Sequence, residues 1–252
     1  MDAWIDTYHA VRRLARSQTF VFITDSAVGQ PEEDNLRHLT ANLGRDSPRA
    51  HVVPFLTTKH TWEYCVGYAD RAWELGYEGL VVLGGDRMVG TPRCVEHAAE
   101  LRTQIRQRQP GLVLGGWANP ARDTVSQVGY LLESRATTDF YLTQIVSHHE
   151  PHRIARFVEE TGRRGLTIPG FFGVFYYRSA NPRTLRALGR FLNVPAEALT
   201  REFESGATTD DICVRTIKTL HNLGVGHIYV SNLPVGHAAR TLSSIMERVA
   251  PS

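Results

Sequence analysis

The chain has 252 residues, of which 42% are hydrophobic and 21% charged; this is an ordinary globular composition and excludes a disordered or fibrous protein. Its formal net charge is +2, which provides no electrostatic signature of nucleic-acid binding. The sequence has no apolar run of about 18 residues and no apolar signal-peptide core, so we expect a cytoplasmic protein that does not cross a membrane. The three cysteines are far apart, which favours reduced thiols. Because of the small net charge, we also expect no binding of nucleic acid.

Short apolar runs alternate with amphipathic stretches along the whole chain. The apolar runs are rich in Val, Ile and Phe and end at Gly, Pro, Asp or Asn, which is typical of strands buried on both faces of a parallel sheet. We predict strands at 19–25, 50–57, 79–86, 111–120, 139–146, 167–175 and 227–233. We predict helices at 4–16, 31–43, 61–75, 92–107, 123–135, 151–163, 182–191, 210–222 and 238–249, with a further helix around 195–205.

The predicted order is one helix followed by seven strand–helix units. An open doubly wound sheet would alternate in the same way, but it would need a return to the other face of the sheet. Seven such units in about 250 residues fit a (βα)8 TIM-type barrel better, with the first strand missing or replaced. We therefore predict a single βα-barrel domain over 1–252, with its site at the carboxyl ends of the strands.

Two strand ends carry polar side chains with two interpretations each. Asp86 follows Gly84-Gly85 and either caps a turn or directs a carboxylate at a ligand. Gln144, preceded by Thr143, is either a buried amide bonded to backbone or a donor and acceptor for the edge of a pterin or flavin.

Three histidines follow the strand predicted at 139–146. His148 and His152 are four residues apart, as metal ligands on one helix face would be, but Pro151 between them indicates a helix start. We therefore predict no metal site, and interpret His148 as a pH-sensitive donor and the others, His149 and His152, as loop residues.

Aromatic side chains lie at two more strand ends. Tyr176 and Tyr177 follow the strand predicted at 167–175, and Trp117 lies near the end of the strand predicted at 111–120. Each of the three could stack on a flat ligand.

The segment DFYLTQIVSHHEPHRIARFVEETGRRGLTIPGFFGVF (139–175) resembles the methylenetetrahydrofolate reductase family. In that family the sixth strand ends in Thr-Gln, here Thr143-Gln144, and a helix and Ile/Val-Pro-Gly follow, here Ile168-Pro169-Gly170. The runs QTFVFITDSAVGQPEEDNL, PFLTT, LVVLGGD and HIYVSNL resemble other family strands in the same order. The resemblance covers nearly the whole chain and implies a (βα)8 barrel that acts on 5,10-methylenetetrahydrofolate.

Several positions depart from the family pattern. The family's first strand, which carries its general-acid glutamate, has no counterpart here. Phe55 replaces a flavin-contacting His, and Gly84 replaces an Arg. The family's lysine and polar flavin contacts fall on Glu133, Ser126, Gly129 and Leu132. The resemblance therefore implies tetrahydrofolate species as substrate and NAD(P)H as a candidate hydride donor, and it argues against FAD.

Two alternatives stay open beside this flavin-poor reductase: a folate-dependent methyl or methylene transferase without redox chemistry, and a partner subunit of a heteromeric reductase. A homo- or hetero-oligomer would cover the gap of the missing strand. The resemblance places folate at a mouth formed by Asp86, Gln144 and 175–178. The predicted catalytic residues are Asp86 beside the iminium cation and Asp25 or His148 as the acid; the predicted binding residues are Gln144, Thr143, Thr24, Thr57, Trp117, Tyr176 and Tyr177.

Overall fold

The computed structural model describes residues 2–25, 36, 40, 43, 48–87 and 89–250. Its strands are β1 (Val21–Ile23), β2 (Val52–Thr57), β3 (Gly79–Leu83), β4 (Val113–Ala118), β5 (Phe140–Val146), β6 (Gly170–Phe175) and β7 (His227–Ser231). Its α-helices are α1 (Asp2–Arg16), α2 (Trp62–Glu74), α3 (Ala98–Arg108), α4 (Thr124–Glu133), α5 (Pro151–Arg163), α6 (Pro182–Leu188), α7 (Ala196–Glu204), α8 (Thr209–Asn222) and α9 (Ala238–Val249). The chain is therefore an α/β protein, and all seven predicted strands are present.

The helix predicted at 92–107 begins later than the sequence suggested. A proline such as Pro92 is common in the first turn of a helix, but α3 starts at Ala98. His97 is the N-cap, and a capping box joins its backbone N–H to the Glu100 carboxylate at 3.0 Å. The helix predicted at 31–43 lies outside the described residues, except for Leu36, Thr40 and Leu43, which are helical.

One compact unit comprises Met1–Gly116 with Ser134–Phe140. Within it β1 pairs with β2, β2 with β3, and β3 with β4, always in parallel. All six residues of β2 are buried, as expected for a strand covered on both faces. Fully buried side chains such as Leu56, Tyr68 and Leu80 form the core of this unit.

The other compact unit comprises Trp117–Glu133 with Tyr141–Ser252. Here β5 pairs with β6, and β6 with β7, again in parallel. The pairing register between β5 and β6 shifts between Leu142 and Ile145, where Thr143 and Gln144 lie. Such an irregularity redirects side chains at a strand end, which places Gln144 at the centre of the shift.

Neither β1 nor β7 has a second strand partner among the described residues, since β1 pairs with β2 and β7 with β6. None of the described helices is both long and apolar enough to cross a bilayer.

Candidate functional site

The carboxyl ends of β1 and β2 bring together a carboxylate and an imidazole. Asp25 follows β1, its side chain is 6% exposed, and it lies beside His60, which follows β2. The His60 Nε2 is 2.9 Å from Asp25 Oδ2 and 3.1 Å from Oδ1. Asp25 Oδ2 also accepts the Thr57 backbone N–H at 2.8 Å and the Thr57 hydroxyl at 3.0 Å. Three donor groups therefore hold the Asp25 carboxylate in place.

Local structure fixes the His60 ring as well. Thr61 caps α2 by accepting the Tyr64 backbone N–H, so the helix starts directly after His60. The Tyr64 ring lies 4.6 Å from the His60 ring, centroid to centroid. Among the described residues the His60 Nδ1 has no hydrogen-bond partner, while Nε2 is held by Asp25. A ring with one nitrogen fixed by a carboxylate and the other unoccupied is the arrangement of a general acid or base.

Asp86 caps a turn, which is the first of the two interpretations that the sequence allows. Its Oδ1 accepts the Val89 backbone N–H at 3.1 Å. An arginine is nearby although Gly84 has no side chain: the Arg93 guanidinium carbon lies 2.6 Å from where a Cβ on Gly84 would be. Arg93 also donates to the Gly85 carbonyl, and burial lowers its pKa. Arg93, nine residues later in the chain, therefore occupies the space beside Gly84.

A buried lysine also contacts the segment that follows β3. Lys59 is 3% exposed, and its Nζ donates to the Val89 carbonyl at 2.7 Å and the Thr91 carbonyl at 2.6 Å. Lys59 therefore ties the segment after β3 to the end of β2.

The predicted binding residues Thr24, Thr57 and Trp117 differ in exposure. Thr24 is exposed, Thr57 is buried against Asp25, and Trp117 is half-buried in β4. Of these three, Thr57 acts by holding Asp25.

Thr143 and Gln144 are both bonded to the protein itself. Thr143 is fully buried; its hydroxyl accepts the Gly173 N–H at 3.1 Å, and its carbonyl accepts the Tyr229 hydroxyl at 2.6 Å. Gln144 Oε1 accepts the Ile145 N–H at 3.0 Å, and Gln144 Nε2 donates to the Phe191 carbonyl at 3.4 Å. The buried interpretation therefore describes Thr143, whereas Gln144 is half-buried and the hydrogen bond of its Nε2 is long.

The two tyrosines after β6 have separate environments. Tyr176 donates its hydroxyl to Asp210 at 2.7 Å, and burial, with Asp210, raises its pKa to about 12. Tyr177 is buried in a small apolar cluster with Leu185 and Leu199. Tyr177 therefore stabilises the core of its unit, and its ring is not available for stacking.

The histidines after β5 meet a glutamate from α7. His148 Nε2 is 3.1 Å from Glu202 Oε1, and His149 Nε2 is 2.9 Å from Oε2. His148 Nδ1 is 2.8 Å from the Thr216 hydroxyl, and Arg215 donates to Glu202 Oε1 at 2.5 Å. The pKa of His148 is lowered, mainly by burial and secondly by the neighbouring His149, although Glu202 acts to raise it. Within the described residues His148, His149 and Glu202 are a group able to hold a metal ion.

Sequence reasoning missed His60, Arg93 and Glu202. His60 had a usable signal, since it stands in the polar run that ends β2. Glu202 had none, because it lies within a helix and reaches the histidines from more than 50 residues away.

Two cysteines that are distant in sequence are neighbours in space. Cys65 and Cys94 are close enough to interact electrostatically, and Cys65 Sγ lies 3.5 Å from the Thr57 carbonyl. Burial raises the pKa of Cys65, so the protonated thiol is favoured and a nucleophilic role is not indicated.

No family model matches the chain, and no curated protein matches it. Similar solved structures exist. A lactate oxidase of Pediococcus acidilactici aligns with a TM-score of 0.53 at 9% identity, covering 97% of this chain and 67% of that one. A protein described as a phosphonomutase of Burkholderia cenocepacia aligns with a TM-score of 0.50 at 15% identity, covering 94% and 89%. The likeness is to folds of the TIM-barrel type and concerns the fold alone.

Proposed function

We propose that the chain is a tetrahydrofolate-dependent one-carbon enzyme of the methylenetetrahydrofolate reductase type, in which His60, oriented by Asp25, is the acid–base group. The substrate class comes from the collinear sequence resemblance over nearly the whole chain. The observation that carries the chemistry is the Asp25–His60 pair at the carboxyl ends of two parallel strands. The proposal includes the fold: a (βα)8 barrel in which the family's first strand is missing or replaced.

The reaction requires a proton and then a hydride. Protonation of N10 breaks the bond between N10 and the methylene carbon and leaves an iminium cation at N5. His60 would deliver that proton, because its Nε2 is held by Asp25 and its Nδ1 is unoccupied among the described residues. Reduced NAD(P)H would supply the hydride that converts the methylene to a methyl group.

The two carboxylates then have different tasks. Asp25 Oδ2 accepts both Thr57 donors, so Asp25 is a positioning residue that holds the His60 ring. Asp86 is the carboxylate proposed to stabilise the iminium cation electrostatically. FAD has no place in the proposal, because Phe55, at the flavin-contacting position, is buried and packs against the Phe22 ring.

The test is turnover of 5,10-methylenetetrahydrofolate with NADH, followed by loss of NADH absorbance, together with equilibrium binding of tetrahydrofolate. We expect His60→Gln to lower kcat by about 10²–10⁴-fold, the usual contribution of a general acid, with unchanged folate Kd. Asp25→Asn should lower kcat as well. The control is His221→Gln, an exposed histidine at the end of α8, which should behave as wild type.

Four outcomes would overturn parts of the proposal. Absence of folate binding by the wild type would remove the substrate class. Folate binding without NADH consumption would favour transfer of the one-carbon unit to a second substrate. Full turnover by His60→Gln would assign the proton to another group or to a partner chain, and a yellow flavin-containing preparation would contradict the flavin-independent assignment.

A further inference from the structure

The cluster formed by His148, His149 and Glu202 is separate from the chemistry proposed for His60. The histidines are consecutive after β5, and Glu202 comes from α7. Their ligand atoms all lie within 4.8 Å of one another. We propose that these three side chains bind a divalent first-row transition-metal ion, with Zn²⁺ as the preferred ion.

The hydrogen bonds around His148 determine which of its ring nitrogens carries the hydrogen. The Thr216 hydroxyl has one hydrogen, and it donates this to the Ile212 carbonyl at 3.0 Å in the preceding turn of α8. His148 Nδ1, at 2.8 Å, must therefore donate to the Thr216 oxygen. The neutral ring then presents the lone pair of Nε2 to Glu202 Oε1, 3.1 Å away. Two lone pairs at this distance repel each other unless a proton or a metal ion lies between them.

The outer contacts are those of a metal-binding histidine. Histidine ligands usually donate their second ring N–H to a nearby acceptor, which fixes the ring and raises its basicity. The Thr216 hydroxyl is that acceptor, and it is buried. The Ser147 hydroxyl accepts the backbone N–H of His149 at 3.3 Å and so supports the adjoining backbone.

The separations suit a tetrahedral site. In such a site, metal–ligand bonds of about 2.0–2.1 Å place neighbouring ligand atoms roughly 3.3 Å apart. The contacts of Glu202 with the two rings, each made by a different carboxylate oxygen, measure 3.1 and 2.9 Å. All ligand atoms lie within 4.8 Å of one another, so a rotation of these side chains brings both nitrogens and one oxygen to such separations. Three protein ligands leave a fourth position for water or for a ligand's polar group.

The donor types select the ion. Two imidazole nitrogens and one carboxylate match Zn²⁺ and its first-row neighbours, whereas Mg²⁺ and Ca²⁺ prefer oxygen ligands only. Arg215 neutralises Glu202 in the metal-free arrangement, and its side chain is 52% exposed. Because Arg215 can turn towards solvent, it competes with the metal without blocking it.

The experiment uses the full chain after dialysis against a chelator, titrated with Zn²⁺ by calorimetry. Co²⁺ serves as a second probe, since tetrahedral Co²⁺ absorbs visible light. We expect one Zn²⁺ per chain and a rise in Tm on binding. Thr216→Val should weaken binding by about 10–100-fold, the range typical for loss of an outer hydrogen bond. Glu202→Gln and His149→Gln, which remove ligands, should weaken it further, and Arg215→Gln should strengthen it.

The matched control is His152→Gln, an exposed histidine on α5 in the same segment, which should bind Zn²⁺ as the wild type does. Far-ultraviolet circular dichroism confirms that each variant is folded. A wild type that takes up no Zn²⁺ would overturn the proposal and assign the cluster to hydrogen bonds of a doubly protonated His148 ring, with Nε2–H donated to Glu202. Equal affinity in the wild type, Glu202→Gln and His149→Gln would overturn it as well. None of these readouts depends on folate turnover.

Discussion

Removal of the Asp25 carboxylate tests the cluster at the ends of β1 and β2 without reference to any substrate. In Asp25→Ala the buried Thr57 N–H loses its acceptor, which costs about 1–3 kcal/mol. The Thr57 hydroxyl loses a bond worth about 1 kcal/mol, and the His60 ring, which can reach water, loses about 0.5–1 kcal/mol. Since such terms add only partly, we expect the free energy of unfolding to fall by about 2–4 kcal/mol.

Thr57→Val separates the terms, because it removes the hydroxyl and keeps the backbone N–H bond to Asp25. We expect it to cost about 1 kcal/mol. Asp6→Ala, at an exposed position on α1, is the control and should stay within about 0.5 kcal/mol of wild type. The assay is urea unfolding followed by two optical probes, whose transitions must coincide before a free energy is extracted. A loss below 1 kcal/mol in Asp25→Ala, or equal losses in Asp25→Ala and Thr57→Val, would show that the Asp25 hydrogen bonds do not contribute as stated.

Three further predictions concern the other unit. Gly173→Ala places a Cβ 2.5 Å from the Tyr229 hydroxyl, so we expect a loss of about 1–3 kcal/mol or more, measured by urea unfolding. Gln144→Ala should weaken tetrahydrofolate binding by about 1–3 kcal/mol in a calorimetric titration, because the amide is the proposed partner of the pterin edge; unchanged binding would remove that role. Hydrogen bonds from Thr208, and to a smaller extent from the Arg248 guanidinium on α9, hold the pKa of Asp211 well below its usual range. This stabilisation is present above the unfolded pKa and lost as pH falls through the folded one, so the Tm advantage of wild type over Asp211→Asn should shrink between about pH 5 and pH 2.

The strands could be predicted because their signal is local. The run over β3 is continuous, apolar and ended by Gly84-Gly85, and β3 occupies Gly79–Leu83 within the predicted 79–86. The helix signals were local too: Thr61 caps α2, and Pro151 and Pro182 open α5 and α6. The start of α3 was misplaced because its N-cap, His97, is not a typical capping residue.

The site could be predicted only in part, because hydrogen-bond partners come from distant positions. The sequence placed Thr57 and Thr143 at strand ends, where side chains can reach a ligand. In the structure Thr57 is bonded to Asp25, 32 residues away, and Thr143 to Gly173, 30 residues away. Alternation along a strand tells which face a side chain occupies, but it does not tell which polar group from another strand meets it there.

Hydrogen bonds distinguish the two candidate acids that the sequence left open. Both candidates turn out to belong to carboxylate–imidazole contacts, but the contacts differ in what remains available. His148 has both ring nitrogens engaged, one by Thr216 and one by Glu202. At the other contact Asp25 accepts hydrogen bonds from Thr57, and the Nδ1 of the His60 ring has no hydrogen-bond partner among the described residues. A proton donor needs a nitrogen that can reach its acceptor, which is why we propose His60 as the acid and Asp25 as its positioning residue. The Nδ1 contact of His148 with Thr216 is why we propose Nε2 of that ring for the metal site.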